Sequence, residues 1–138
     1  MVNRNILVGR VEQIEKHLRK IAAYRRMSLG EFLRDEKTQD IVEYNLFQIV
    51  NHFIDIVQHI VVDEEYGFPQ TAYEAAQILA DKKILTAKDL EIFKNMIGFR
   101  NVVGHDYIEI NKKTVYHILT TGEKGIKRVL SRIVERIL

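Results

Sequence analysis

Apolar residues recur with a helical period along almost the whole chain. Over residues 3–25, Ile6, Leu7, Val11, Ile14, Leu18 and Ile21 fall near the i, i+3, i+4, i+7 spacing that lines one face of a helix. Arg10, Lys16, Arg19 and Lys20 fall mainly off that stripe. The run "SLGE" at 28–31 has the spacing of a capping box, with Ser28 as N-cap and Glu31 at N3, and predicts a short helix or turn through Leu33. Residues 36–64 carry the longest pattern, in which Ile41, Val42, Leu46, Ile49, Val50, Phe53, Val57 and Ile60 make a wide apolar face. At ~1.5 Å per residue that helix is roughly 40 Å long, a spine for a bundle. It is expected to stop near "EEYGFP", where Gly67 and Pro69 disfavour continuation. Thr71 is placed to cap a helix through Lys83. "TAKD" at 86–89 is a weaker capping signal with Asp89 in the first turn, and opens the helix that carries "LEIFKNMIGFRNVV". A last helix starts near Asn111–Thr114 and runs to Leu138, with a kink expected at "TTGEKG". "YIEI" at 107–110 alternates but is too short to outweigh the rest.

These segments predict one all-α domain spanning residues 1–138, an antiparallel helical bundle of about four to five main helices. The 46% hydrophobic content suits a buried core and argues against disorder. With no cysteine there is neither a disulfide framework nor a thiolate zinc site. The opening "MVNRNILVGRVEQ" lacks the long apolar run of a signal peptide, and no stretch approaches the ~18 apolar residues of a membrane helix. A cytoplasmic protein without a membrane partner is therefore expected. A formal net charge of +2 does not mark the whole chain as a nucleic-acid binder, so any basic surface has to come from local clustering.

The chemistry concentrates in "FRNVVGHDYI" at 99–108. In an unbroken helix, at ~100° per residue, Arg100 and Tyr107 nearly superpose while His105 points away. Gly104 offers another geometry: as a C′ residue in the left-handed conformation it ends the helix and frees His105 to turn back towards Arg100. Arginine presents a planar fork of donors suited to phosphate, and histidine as a residue type moves protons near neutral pH. The pair suits phosphodiester chemistry. A histidine after a cap glycine also serves simply to bond the last carbonyls of its helix, so spacing alone leaves both readings open.

The decapeptide "GFRNVVGHDY" resembles the R-x4-H-x-Y signature of HepT-like toxins in the HEPN superfamily of small helical ribonucleases. The similarity extends to the long helix with "DIVEYNLFQIVNHFIDIVQHI", the "GFP" turn and the helix leading into "MIGFRN", in the family's order over residues 5–135. The resemblance implies an HEPN-like fold and a metal-independent endoribonuclease without a cofactor. It implies a homodimer with two R-x4-H motifs facing a shared cleft, in a type VII-like toxin–antitoxin system. Carried over by residue, Arg100 binds the scissile phosphate, His105 transfers the proton, and Asn101 positions the arginine or the RNA substrate. The expected products are a 2′,3′-cyclic phosphate and a 5′-hydroxyl. Tyr107 matches the tyrosine that MntA-like nucleotidyltransferase antitoxins modify by AMPylation. The alternative from the same residues is a non-catalytic nucleotide- or substrate-binding accessory subunit of a minimal nucleotidyltransferase.

Three further groups stand out. Asn45, Gln48, His52, Asp55 and His59 share one face of the long helix. His52, Asp55 and His59 have metal-capable donors, but a single-helix set favours a polar or interface-lining face, and no metal site is expected. Asp55 and His59 are candidates to line the RNA cleft or to buttress His105. Basic residues gather near both termini: Arg19, Lys20, Arg25 and Arg26, then Lys124, Lys127, Arg128, Arg132 and Arg136. They suit either RNA phosphates or pairing with Glu12, Glu15, Glu123 and Glu135. Tyr24, Tyr44, Tyr66, Tyr73 and Tyr116 have rings that stack on bases or pack at the core and its rim. His17 and His117 have no partner nameable from sequence.

Overall fold

A computed structural model describes residues 2–105 and 109–138. The chain is all-α, with helices α1 (Arg4–Ala22), α2 (Leu29–Leu33), α3 (Glu36–Asp63), α4 (Ala72–Asp81), α5 (Ala87–Val103), α6 (Lys112–Thr121) and α7 (Glu123–Ile137). A 3₁₀ turn, Ala23–Arg26, follows α1. None of these helices is long and apolar enough to cross a membrane.

Helix starts follow the chemistry of their caps. Ser28 Oγ accepts from the Glu31 backbone N–H while Glu31 Oε1 accepts from the Ser28 N–H, which closes the expected capping box. Asp35 caps α3 by accepting from Thr38 N–H, and Thr71 caps α4 by accepting from Glu74 N–H. "TAKD" proves to be a full capping box, Thr86 and Asp89 each bonding the other's backbone.

α3 stops beside "EEYGFP" and α4 close to Lys83, as expected, but the turning residues differ from those expected. α3 turns off before Gly67: Glu65 takes a left-handed φ of 58°, and Tyr66 N–H bonds Val61 O at 2.9 Å. Lys83 does the same after α4, with φ 62° and Ile84 N–H on Leu79 O. Both are Schellman endings built on a charged residue rather than on glycine. The last segment is two helices, not one kinked helix. At Gly122 a Cβ would lie 2.6 Å from the Ile118 carbonyl oxygen, so the chain bends where only glycine fits.

α3 is the spine. Its start-to-end pairing with α1 is antiparallel: Asn3 N–H donates to Asp63, Arg10 pairs with Asp55, and His17 meets Asn45. α4, α5 and α6 pack on its other sides, and α7 closes over α5. Phe53 of α3 and Phe93 of α5 meet edge to face, centroids 6.4 Å apart, at the centre of a core that also holds Leu7, Ile14, Ile49 and Ile133. A fully buried carboxylate, Asp89, ties the start of α5 to α7 through Arg132 at 3.4 Å and Arg128 at 3.6 Å.

Candidate functional site at the end of α5

α5 turns Phe93, Met96 and Phe99 into the core. Ile97, Arg100 and Asn101, at i, i+3 and i+4, consequently face outward together. They line an open groove of about 720 Å³. Its opposite wall is one row of α3, Asn51, Ile54, Asp55 and Gln58, again at helical spacing. Gln70 and the beginning of α4, Thr71 to Tyr73, close the third side. The groove is thus a product of two amphipathic registers and one cap.

Arg100 sits in the last turn of α5 with its Nε buried and, among the described residues, without a hydrogen-bond partner. A buried donor left unpaired is costly unless something else accepts from it. The groove is where an acceptor with several oxygens would fit, and a guanidinium fork matches a phosphate. Asp55, on the same wall, is partly neutralised by Arg10 of α1 at 3.3 Å.

Gly104 is the C-cap of α5, but its conformation is right-handed, φ −70° and ψ −9°. The expected left-handed glycine is therefore corrected. The helix ends by tightening instead: Gly104 N–H still bonds Arg100 O, and His105 N–H bonds Val102 O at 3.2 Å, a 3₁₀-type closure. His105 follows this cap at an exposed position outside the helix. Of the residues singled out from sequence, Arg100, Asn101 and Asp55 share the groove, whereas His105 and His59 are not part of its wall. Tyr107 lies outside the described residues.

Asn45 and His52, from the polar stripe on α3, turn to α1. His17 Nδ1 and Asn45 Oδ1 are 2.7 Å apart, and Asn45 Nδ2 donates to Ile41 O. His52 stacks on His17 at 5.7 Å between centroids. Burial holds the His52 imidazole below its ordinary pKa, and the neighbouring His17 and Arg10 push the same way against Asp55. Gln48 donates to the Tyr44 hydroxyl. Among the described residues no group of three or more histidines and carboxylates is placed to hold a metal ion.

The terminal basic residues are partly engaged. Arg25 and Lys127 both pair with Glu123, as sequence suggested. Arg128 and Arg132 instead turn to Asp89, whose role beyond capping had no local signal in the sequence.

Comparison with known proteins matches residues 14–133 to a family described as ribonuclease HepT-like. The chain is 30% identical over 115 residues to the mRNA nuclease HepT of Shewanella oneidensis, covering 83% of this chain and 86% of that protein. It is also 30% identical over 111 residues to the tRNA nuclease HepT of Aphanizomenon flos-aquae, covering 80% and 76% respectively. Among solved structures, the tri-AMPylated Shewanella oneidensis HEPN toxin in complex with MNT antitoxin superposes with a TM-score of 0.88 at 26% identity, over 96% of this chain and 99% of that one. Sequence and fold agree over nearly the full length, and the chain belongs to the ribonuclease HepT-like family.

Proposed function

We propose that this chain is the toxin of a toxin–antitoxin pair, an endoribonuclease that cuts RNA without a metal ion through Arg100 and His105. The observation that carries it is the buried Nε of Arg100, without a hydrogen-bond partner among the described residues, on an open groove. Arg100 binds the scissile phosphate and stabilises the charge that gathers on its oxygens as the bond changes. The 2′-oxygen of the preceding ribose attacks phosphorus, its proton passes to a base, and the P–O5′ bond breaks as the leaving oxygen takes up a proton. His105 serves one of these transfers. The products are a 2′,3′-cyclic phosphate and a 5′-hydroxyl. Asn101, beside Arg100 on the groove, positions the RNA. Asp55 acts through its contact with Arg10 and sets the charge of the same wall.

One arginine and one histidine make a sparse site, and a two-fold pairing of chains would double the cationic groups at a shared cleft. We take the working form to be a homodimer in the cytoplasm. A cognate nucleotidyltransferase antitoxin would transfer AMP from ATP to the Tyr107 hydroxyl, forming a Tyr–O–P bond and releasing pyrophosphate. The added negative charge beside a phosphate site repels RNA.

Two experiments test these assignments. Intact mass after co-expression with the neighbouring transferase should rise in AMP steps that Tyr107→Phe abolishes; neutralisation with no mass change contradicts the modification. RNA cleavage in excess EDTA, by the parent and by Arg100→Ala and His105→Ala, tests the chemistry.

A further inference from the structure

Of the tyrosines that sequence left without a task, most have one in the fold. The Tyr116 hydroxyl donates to Met27 O at 2.6 Å beneath the Phe32 ring, and Tyr24 and Tyr66 pack against the core. Tyr44 accepts from Gln48 and meets the edge of His17. Tyr73 differs. It is 38% exposed, and among the described residues its hydroxyl takes part in no hydrogen bond. It is nevertheless firmly placed, as the second residue of α4, between the Thr71 cap and the buried Ala75 and Ala76.

Its location is specific. Tyr73 forms part of the wall of the Arg100 groove and also lines the adjoining hollow of α5, with Glu91, Lys94 and Asn95. The Lys94 ammonium lies 5.8 Å from the Tyr73 ring centroid. One aromatic ring is therefore common to the groove that Arg100 lines and to the hollow that Lys94 lines. Cationic groups beside an aromatic ring suit a single nucleic-acid strand, whose base stacks while its flanking phosphates meet the cations. The groove, at about 720 Å³, is of the size that holds a nucleotide.

The geometry points to Tyr73 as a base-stacking platform for single-stranded RNA, holding the nucleobase next to the phosphate that Arg100 binds, with Lys94 receiving the following phosphate. This rests on the ribonuclease reading of the Arg100 groove and adds a substrate class to it. A base stacked on Tyr73 has to be splayed out of a helix, so the substrate is a single strand, loop or bulge and not continuous duplex. Stacking also tolerates any base, so Tyr73 supplies affinity and register more than sequence choice.

The test uses a short single-stranded RNA in which 2-aminopurine replaces one base at a time, bound to full-length His105→Ala protein so that the probe stays intact. At one position, fluorescence should be quenched on binding. Tyr73→Phe in that protein keeps the quench, because the ring and not the hydroxyl matters. Tyr73→Leu removes it and weakens binding about tenfold. In the otherwise native enzyme Tyr73→Leu raises KM by a similar factor with kcat little changed. The same sequence as a duplex gives no quench. Equal quench and affinity in Tyr73→Leu overturn the proposal. So does a Tyr73→Leu variant that loses only the transferase from a co-purified complex, since the ring would then serve that partner. Should the parent protein cut no RNA while the quench still depends on Tyr73, the ribonuclease reading fails and the RNA seat stands. Cleavage by the parent with an unchanged KM in Tyr73→Leu is the reverse outcome.

Discussion

The imidazole rings of His17 and His52 stack across the α1–α3 interface, with their centroids 5.7 Å apart. His52 Nδ1 is buried there and, among the described residues, has no hydrogen-bond partner. Arg10 lies close by, and Asp55 only partly offsets its charge. The site favours neutral His52, so its folded-state pKa lies below the ordinary 6.5 that the unfolded chain restores. The unfolded chain then binds more protons near that pH. The stability this site contributes is present above 6.5 and is lost as the pH falls from there towards the folded-state pKa. Denaturation midpoints measured across this range should drop on acidification, and His52→Gln should flatten the dependence. An unchanged slope in that variant would remove His52 as its source.

Asp89 combines a cap with an inter-helix tie. Its carboxylate bonds the Thr86 N–H and faces Arg128 and Arg132. Both arginines keep part of their side chains in solvent, while the Arg132 Nε that faces the carboxylate is buried. Asp89→Ala is expected to cost about 2 kcal/mol, most of it the cap and the lost charge-assisted contacts. Asp89→Asn should cost less because it retains an acceptor for Thr86. Urea denaturation measures both, and an alanine variant as stable as the parent contradicts the assignment.

Gly122 and Gly9 should respond to alanine in opposite directions. A Cβ at Gly122 meets the Ile118 carbonyl oxygen at 2.6 Å, whereas one at Gly9, inside α1, meets nothing within 4 Å. Gly122→Ala should therefore lower the melting temperature. Gly9→Ala should raise stability by about 0.5–1 kcal/mol through the helical preference of alanine. Thermal unfolding of the two single variants checks the pair of signs.

Arg10 does not line the groove, yet it pairs with the Asp55 carboxylate of its wall. Arg10→Gln leaves that carboxylate facing the phosphate path without its counter-charge. RNA affinity is expected to fall by about two- to tenfold, with the loss growing at low salt. Asp55→Asn should restore it in the double variant. If the double variant binds as weakly as Arg10→Gln alone, the two residues do not act through each other.

What the sequence disclosed and what it withheld divide along the range of the interactions. The α3 spine, the Ser28–Glu31 box and the caps at Thr71 and Thr86 depend on neighbours within one turn, so their spacing was readable. The groove was half readable: Arg100 and Asn101 stand in a recognisable motif, but Tyr73 joins them only because α4 packs beside α5. The left-handed turns at Glu65 and Lys83 escaped, though the helices stop near where the sequence placed their ends, because that conformation is ordinarily marked by glycine. Gly104 misled in the opposite sense, carrying the glycine without the left-handed turn. His17 with Asn45, and Asp89 with Arg132, pair across distant stretches of chain that no local pattern connects.

Metal-independent catalysis by Arg100 and His105 is tested by RNA cleavage with purified protein in excess EDTA, with product ends identified. The parent should generate 2′,3′-cyclic phosphate and 5′-hydroxyl ends. Arg100→Ala and His105→Ala should each lose at least about a hundredfold in rate while melting at the parent's temperature. Cleavage that needs an added metal ion, or that persists in both variants, would rule out metal-independent catalysis through Arg100 and His105.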